Sequence, residues 1–264
     1  MIDYLYDGTF EGLLTCVYHH YYTDKALGVF DRDEYQASML NGFMEVETDS
    51  EKAMKVYDAI EQKISLFVLR QTYRAFLCND PAKGTKILNY LVLGFRCGNA
   101  LGSLHGHQYV YEVESMIKKV KVEKERMLQF VRFQAMEDKD GVQILYAEVE
   151  PDNDVIELIG DHFADRFKHD PFIIRDIGRG KAIIASEGHW YITPFEGKAL
   201  DRNGVVMPNG EALHMTREEK LNQNLWRSYF EHIAIKERAN SRCQRNHMPE
   251  RYWKHLTEMK NVLY

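Results

Sequence analysis

Leu128-Gln-Phe-Val-Arg-Phe-Gln-Ala-Met-Glu-Asp-Lys-Asp-Gly-Val-Gln-Ile-Leu-Tyr-Ala-Glu-Val149 marks the place where the chain changes character. Two runs rich in β-branched and aromatic residues, Leu128 to Ala135 and Val142 to Val149, flank Lys139-Asp140-Gly141, a sequence suited to a tight hairpin turn. Phe172 to Ile177, Lys181 to Ser186 and His189 to Thr193 repeat the pattern, with Gly178-Arg179-Gly180 as a second turn. Between them, Pro151-Asp-Asn-Asp154 caps a helix whose Val155, Ile159, Phe163 and Phe167 would pack on the sheet. These runs predict an antiparallel sheet of about five strands backed by a helix.

Upstream, the period is helical. Ile2 to Tyr6 reads as a short strand, Asp7-Gly8 as a turn and Thr9 as an N-cap, after which Phe10, Leu13, Leu14, Val17, Tyr18 and Tyr21 define an apolar helix face. Gly28 to Ser50 is mixed and acidic, with a short strand near Val29-Phe30 and a loop ending in Thr48-Asp49-Ser50. A helix follows from Glu51 to Leu77 with a break near Ser65, and Asn79-Asp80-Pro81 starts another. A third runs to about Arg126. Beyond the sheet, Glu196 to Met215 reads as a loop, and Thr216 with Glu219 forms a capping box for the next helix. The expected fold class is α+β. Residues 1–126 form a mainly helical N-terminal lobe with a short first strand; residues 127–264 form the sheet and C-terminal helices, the whole being one compact unit.

Composition narrows the function. With 264 residues, 45% of them apolar and 12% aromatic, the chain can bury a substantial core. Its longest apolar run, Ile87 to Phe95, falls short of the roughly 20 residues that span a bilayer. The first residues carry acids and lack the basic and apolar regions of a signal peptide, so a cytoplasmic location and no membrane partner are expected. Cys16, Cys78, Cys97 and Cys243 are far apart, which suggests neither a zinc knuckle nor an iron–sulfur site, and no cofactor is expected. His105-Gly-His107, His19-His20 and His162 lack the cysteines or carboxylates of a recognisable ligand set.

Charge is unevenly spread: the net value is −6, but residues 1–50 hold ten acids against two bases, whereas residues 217–260 hold ten bases against six acids. If Leu225 to Arg245 forms one helix, Arg227, Arg238, Arg242 and Arg245 fall within about 60° of one another. Trp226, Tyr229, Phe230 and Ile233 then form a separate packing face. A guanidinium row suits phosphates, which it binds bidentately. Glu231 lies in the same stripe, so the row can contact DNA, a protein partner or internal acids. Beyond it, Arg251, Tyr252 and Trp253 place rings beside a cation, a combination found in base stacking and in ordinary cores alike.

Several strings together resemble one family: Tyr4-Leu-Tyr-Asp-Gly-Thr-Phe-Glu-Gly12, Phe130-Val-Arg-Phe133, Tyr146-Ala147 with Pro151, Phe163-Ala-Asp-Arg-Phe167, Ile235-Lys-Glu-Arg-Ala-Asn240, Gln244 and Met248-Pro-Glu-Arg-Tyr-Trp253. It is the bacterial "probable DNA metabolism protein" family, whose members are typically encoded beside a radical SAM protein regarded as a DNA modification or repair enzyme. Its C-terminal domain resembles a domain of unknown function fused to some uracil-DNA glycosylase-like proteins. The resemblance implies DNA and a radical SAM protein as partners, and offers Arg132, Arg166, Arg238, Asn240, Gln244, Arg251 and Tyr252 as motif positions without catalytic roles.

The leading expectation is an accessory protein of DNA metabolism or repair that binds nucleic acid or the radical SAM partner through Arg132, Arg227, Arg238, Asn240, Arg242, Gln244, Arg245, Arg251, Tyr252 and Trp253. The alternatives are an enzyme acting on a damaged or modified nucleobase, with His105, His107 or a buried acid as catalyst, and a protein scaffold using the acidic first 50 residues. Catalytic residues and oligomeric state are not specified by the sequence.

Overall fold

In the computed structural model, which describes residues 2–37, 41–196, 204–233, 235 and 238–259, the chain divides into two compact units, Met1–Val122 and Glu123–Tyr264. The first begins with β1 (Ile2–Tyr6), α1 (Phe10–Tyr22), β2 (Ala26–Asp31) and β3 (Gly42–Glu45). The strands form a parallel sheet in the order β2-β1-β3. Parallel neighbours need a crossover, and α1 supplies the one between β1 and β2. Gly8 (φ +76°) makes the sharp exit from β1. Thr9 caps α1 by accepting from the Gly12 amide at 3.0 Å. The four-residue β3 was not expected, because Gly42-Phe-Met-Glu45 is short and set in acidic sequence.

The helices α2 (Ser50–Lys63), α3 (Leu66–Phe76), α4 (Lys83–Cys97) and α5 (Gln108–Phe130) follow. The break expected near Ser65 is a helix cap, whose hydroxyl accepts from the Val68 amide at 3.2 Å. α4 lies against the edge strand β2, where the Thr85 hydroxyl accepts from Val29 N–H (2.9 Å) and donates to Val29 C=O (3.2 Å). Those backbone groups would otherwise be open to another strand. The approach needs Gly84, since a Cβ there would lie 2.5 Å from the Val29 carbonyl oxygen.

The second unit carries β4 (Gln134–Glu137), β5 (Gln143–Val149), α6 (Glu157–Arg166), β6 (Phe172–Asp176), β7 (Lys181–Ser186), β8 (His189–Pro194), β9 (Val205–Val206) and β10 (Ala212–Met215). They form one seven-stranded sheet in the order β8-β7-β6-β5-β4-β10-β9. The mixed α/β architecture is thus a helical N-terminal region, a multi-strand sheet and C-terminal helices. Three details depart from the sequence reading. β5 and β6 run parallel, because α6 carries the chain back across the sheet before β6 begins. The loop expected at Glu196 to Met215 contains β9 and β10. The first strand starts at Gln134 because α5 continues past Met127, which is 2% exposed and whose carbonyl accepts from Val131 N–H at 3.1 Å.

Alternation along the strands gives the sheet two apolar faces. Met136, Tyr146, Ile173, Ala182, Phe195, Val205 and Leu213 form one core. Arg175 sits beside it with Glu148 at 3.6 Å and the Phe195 ring 5.0 Å from its guanidinium. On the other face, Phe133 meets Phe163, Phe167 and Phe172 edge-on at ring distances of 5.2, 4.8 and 5.8 Å. Gly160 lets α6 approach Trp190, for a Cβ there would fall 2.6 Å from the indole ring. We expect Gly160→Val to destabilise the protein by about 1–3 kcal/mol through overpacking. A urea unfolding midpoint unchanged from the parent would refute this close fit.

Candidate nucleic-acid interface

The C-terminal chain is anchored by a carboxylate. Buried residues of α5 recur as Val113, Met116, Val120, Glu123 and Met127, so Glu123 occupies an apolar stripe position and is 1% exposed. Its oxygens accept from the amides of Asp152 (2.9 Å) and Asn153 (2.7 Å), the Asn153 side chain, the Tyr252 hydroxyl (2.7 Å) and Arg251 (3.1 Å). Burial pushes this carboxyl up, but the hydrogen bonds, led by Tyr252 and the Asn153 amide, outweigh it and hold it below its ordinary value. The same loop is gripped from the sheet. Arg179 donates to the carbonyls of Pro151 (2.9 Å) and Asp152, and Lys181 pairs with Asp154 at 2.6 Å. Burial raises Asp176 against the pull of Arg179, 3.1 Å away.

This network decides which predicted residues remain available. Tyr252 is 2% exposed; burial, opposed by Arg251 and assisted by Glu123, pushes its phenol up to about 12, so it is packed rather than presented to a base. Arg251 is shared between Glu123 and Asp152 and lies 4.8 Å from the Tyr252 ring. Arg132 pairs with Glu258 at 2.9 Å. The Trp253 indole donates to the Met248 carbonyl at 2.9 Å.

The continuous helix expected over Leu225 to Arg245 is replaced by two. α7 spans Arg217–Ile233 and α8 spans Ser241–His247. Asn240 breaks the run because its backbone is non-helical and its side chain caps α8, accepting from Cys243 N–H at 2.9 Å. The four arginines therefore do not share one helix face. Ala234, Lys236 and Glu237 in the intervening stretch lie outside the described residues. Arg227 is half-buried on α7 and bonds its own helix, to Gln223 O (3.2 Å) and Asn224 Oδ1 (2.6 Å). Arg245 pairs with Glu250 at 2.7 Å across exposed surface. Arg238 and Arg242 are exposed, with no acid partner among the described residues; Gln244 is half-buried on α8.

The expected packing face is also rearranged. Trp226, Tyr229 and Ile233 are 46%, 55% and 56% exposed, while Phe230 is half-buried near the side of Gln223 and Arg227. Trp226 stands at a cleft of about 220 Å³ lined also by Arg132, Phe133, Glu219, Asn222, Gln223 and Thr257, where Glu219 accepts from the Gln223 amide at 2.8 Å. Its indole N–H points to Glu258 at 3.3 Å, and its ring stacks on Tyr229 with centroids 5.7 Å apart. Glu258 thus holds both Arg132 and Trp226, and Arg132 first, with Trp226 after it, offsets the burial that would raise its carboxyl.

Sequence reasoning missed Glu123, Glu258 and the amides of Asn222 and Gln223. A glutamate in an apolar helical stripe was the visible signal for Glu123. The histidines considered for metal serve locally: His105 Nδ1 lies 2.7 Å from Glu114, His107 accepts from the Tyr109 amide at 3.2 Å, and His20 accepts from the Ala26 amide at 3.1 Å. Among the described residues no group of three His, Cys, Asp or Glu side chains is placed to hold a metal, and no helix is long and apolar enough to cross a membrane.

Among curated proteins, none matches this chain. A family model described as a domain of unknown function, DUF4130, matches residues 81–258, which is more than half the chain and includes every arginine discussed above. The chain therefore belongs to the DUF4130 family.

Proposed function

We propose that this protein is an accessory factor of DNA metabolism or repair that holds single-stranded nucleic acid through its C-terminal segment, alone or with a radical SAM partner. The observation that carries this reading is the difference among the arginines. Arg132 and Arg251 are neutralised by buried acids, whereas Arg238 and Arg242 face solvent without one among the described residues. Exposed guanidinium groups in a segment of net positive charge match the chemistry of a phosphate backbone. The Trp226 cleft favours single strands over duplex, since a half-exposed indole beside amide side chains offers a stacking platform and hydrogen-bonding groups for an unpaired base. The family resemblance, with its radical SAM neighbour and its glycosylase-like fusions, supplies DNA as the anion.

Fluorescence anisotropy with a labelled single-stranded oligonucleotide and its duplex tests the reading. We expect tighter binding of the single strand, and roughly tenfold weaker binding by Trp226→Ala, in keeping with the loss of one stacking contact. Absence of binding to either form at low salt, or equal binding by Trp226→Ala, refutes the proposed platform. Pull-down of the radical SAM protein with and without DNA separates a DNA-bridged association from a direct one.

A further inference from the structure

In the first unit, strand register sets three residues side by side: Asp3 of β1 is opposite Gly28 of β2 and Phe43 of β3. Beside this row is a cleft of about 550 Å³, within the ~300–1,000 Å³ range of organic ligand pockets. Its lining includes Asp3, Phe30, Asp31, Glu34, Tyr35 and Asn41, with three acids and no base among the described residues. Asp3 is 4% exposed, yet it reaches the cleft wall and is oriented by the Tyr35 hydroxyl (3.0 Å) and the Asn41 amide (3.4 Å), both to Oδ2.

The walls are aromatic. Phe30 and Tyr35 of the lining have ring centroids 5.4 Å apart, and Phe43, outside the lining, lies 5.9 Å from Tyr35. Gly28 makes room for this arrangement, because a Cβ there would lie 2.4 Å from the Phe30 ring and 3.2 Å from Asp3 Oδ1. A buried carboxylate repels anions, and its desolvation favours a cation that can approach it closely. Aromatic faces stabilise an organic cation and not a hydrated metal ion, in keeping with the absence of a metal-ligand group among the described residues.

We infer that this cleft binds a primary alkylammonium group, the cationic head shared by polyamines and lysine side chains, with Asp3 as counter-charge and Phe30 and Tyr35 as walls. The site belongs to the first unit, and its chemistry is opposite to that of the C-terminal arginines. Titration calorimetry on the full chain at low ionic strength tests it with putrescine, spermidine and Nα-acetyl-lysine amide, using 1,4-butanediol and magnesium chloride as controls. Saturable one-site binding of an amine, absent with the diol, is expected; preference for the polyamines or for the lysine amide identifies the source. Asp3→Asn is expected to weaken binding at least tenfold, and Phe30→Leu severalfold. The inference is overturned if no amine binds saturably, if magnesium competes at equal charge, or if Asp3→Asn folds and binds like the parent. Should Asp3→Asn fail to fold by circular dichroism, Glu34→Gln and Phe30→Leu decide: unchanged affinity in both overturns the site.

Discussion

Glu123→Ala is expected to lower the unfolding free energy by about 3–5 kcal/mol, a large part of the 5–15 kcal/mol that typically separates native from unfolded protein. The effect comes from what the substitution leaves behind. The carboxylate accepts from two backbone amides, an asparagine side chain, a buried phenol and a guanidinium. Its removal strands the buried Asn153 amide and Tyr252 hydroxyl and leaves the part-buried Asp152 amide without its acceptor, and each unsatisfied buried group costs about 1–3 kcal/mol. Glu123→Gln keeps the shape and one acceptor oxygen but replaces the other with an NH2 donor and loses the charge, so part of the network survives and a smaller loss than for Glu123→Ala is expected. The carboxyl is held below its ordinary value in the native state, so its contribution is complete above that value and disappears as pH falls through the native pKa. Denaturant unfolding of parent and Glu123→Gln should thus differ at neutral pH and converge in acid. Equal stability at neutral pH would show that the network does not hold the C-terminal chain.

The patterns of α5 and β6 were legible because each element has at least one buried face. Val110, Val113 and Val120 define α5, and Phe172 to Asp176 is buried along its whole length, so periodicity and β-branched composition identified both elements. What failed was long-range or marginal. Whether β5 and β6 run parallel depends on where α6 returns the chain, which local composition does not encode. β3 has four residues and draws its hydrogen bonds from β1, far upstream, whereas β9 has only two residues and pairs with the neighbouring β10. At the C-terminus an arithmetically good helix over Leu225 to Arg245 ran through Ala239-Asn240-Ser241, where the asparagine side chain caps the following turn in place of helix continuity. The candidate site was legible in its arginines but not in Trp226, which reads from the sequence as a packing residue, nor in the acids that select among the arginines, since Glu123 and Glu258 lie 128 and 126 residues from Arg251 and Arg132.

That selection determines what arginine substitutions do to nucleic-acid binding. Replacing Arg238, Arg242 and Arg245 together by alanine removes up to three phosphate contacts, which for a single strand reduces the slope of log affinity against log salt by roughly 0.7 per contact. The corresponding loss at low salt is on the order of a hundredfold, fading as salt is raised. The three residues are not equivalent. Arg238 and Arg242 begin exposed and without an acid partner among the described residues, whereas Arg245 must leave Glu250, 2.7 Å away. Such exposed pairs are worth only ~0–1 kcal/mol, so Arg245 is recruited at a modest penalty and Glu250→Gln should strengthen binding slightly. By contrast, Arg251→Ala removes a guanidinium already held by Glu123 and Asp152 and should lower stability while leaving the salt slope of the folded protein unchanged. Anisotropy titrations between 50 and 200 mM salt on the triple variant, Glu250→Gln and Arg251→Ala separate these effects. A slope shared by the parent and the triple variant removes the C-terminal arginines from the interface, and a slope reduced by Arg251→Ala moves the interface onto the network around Glu123.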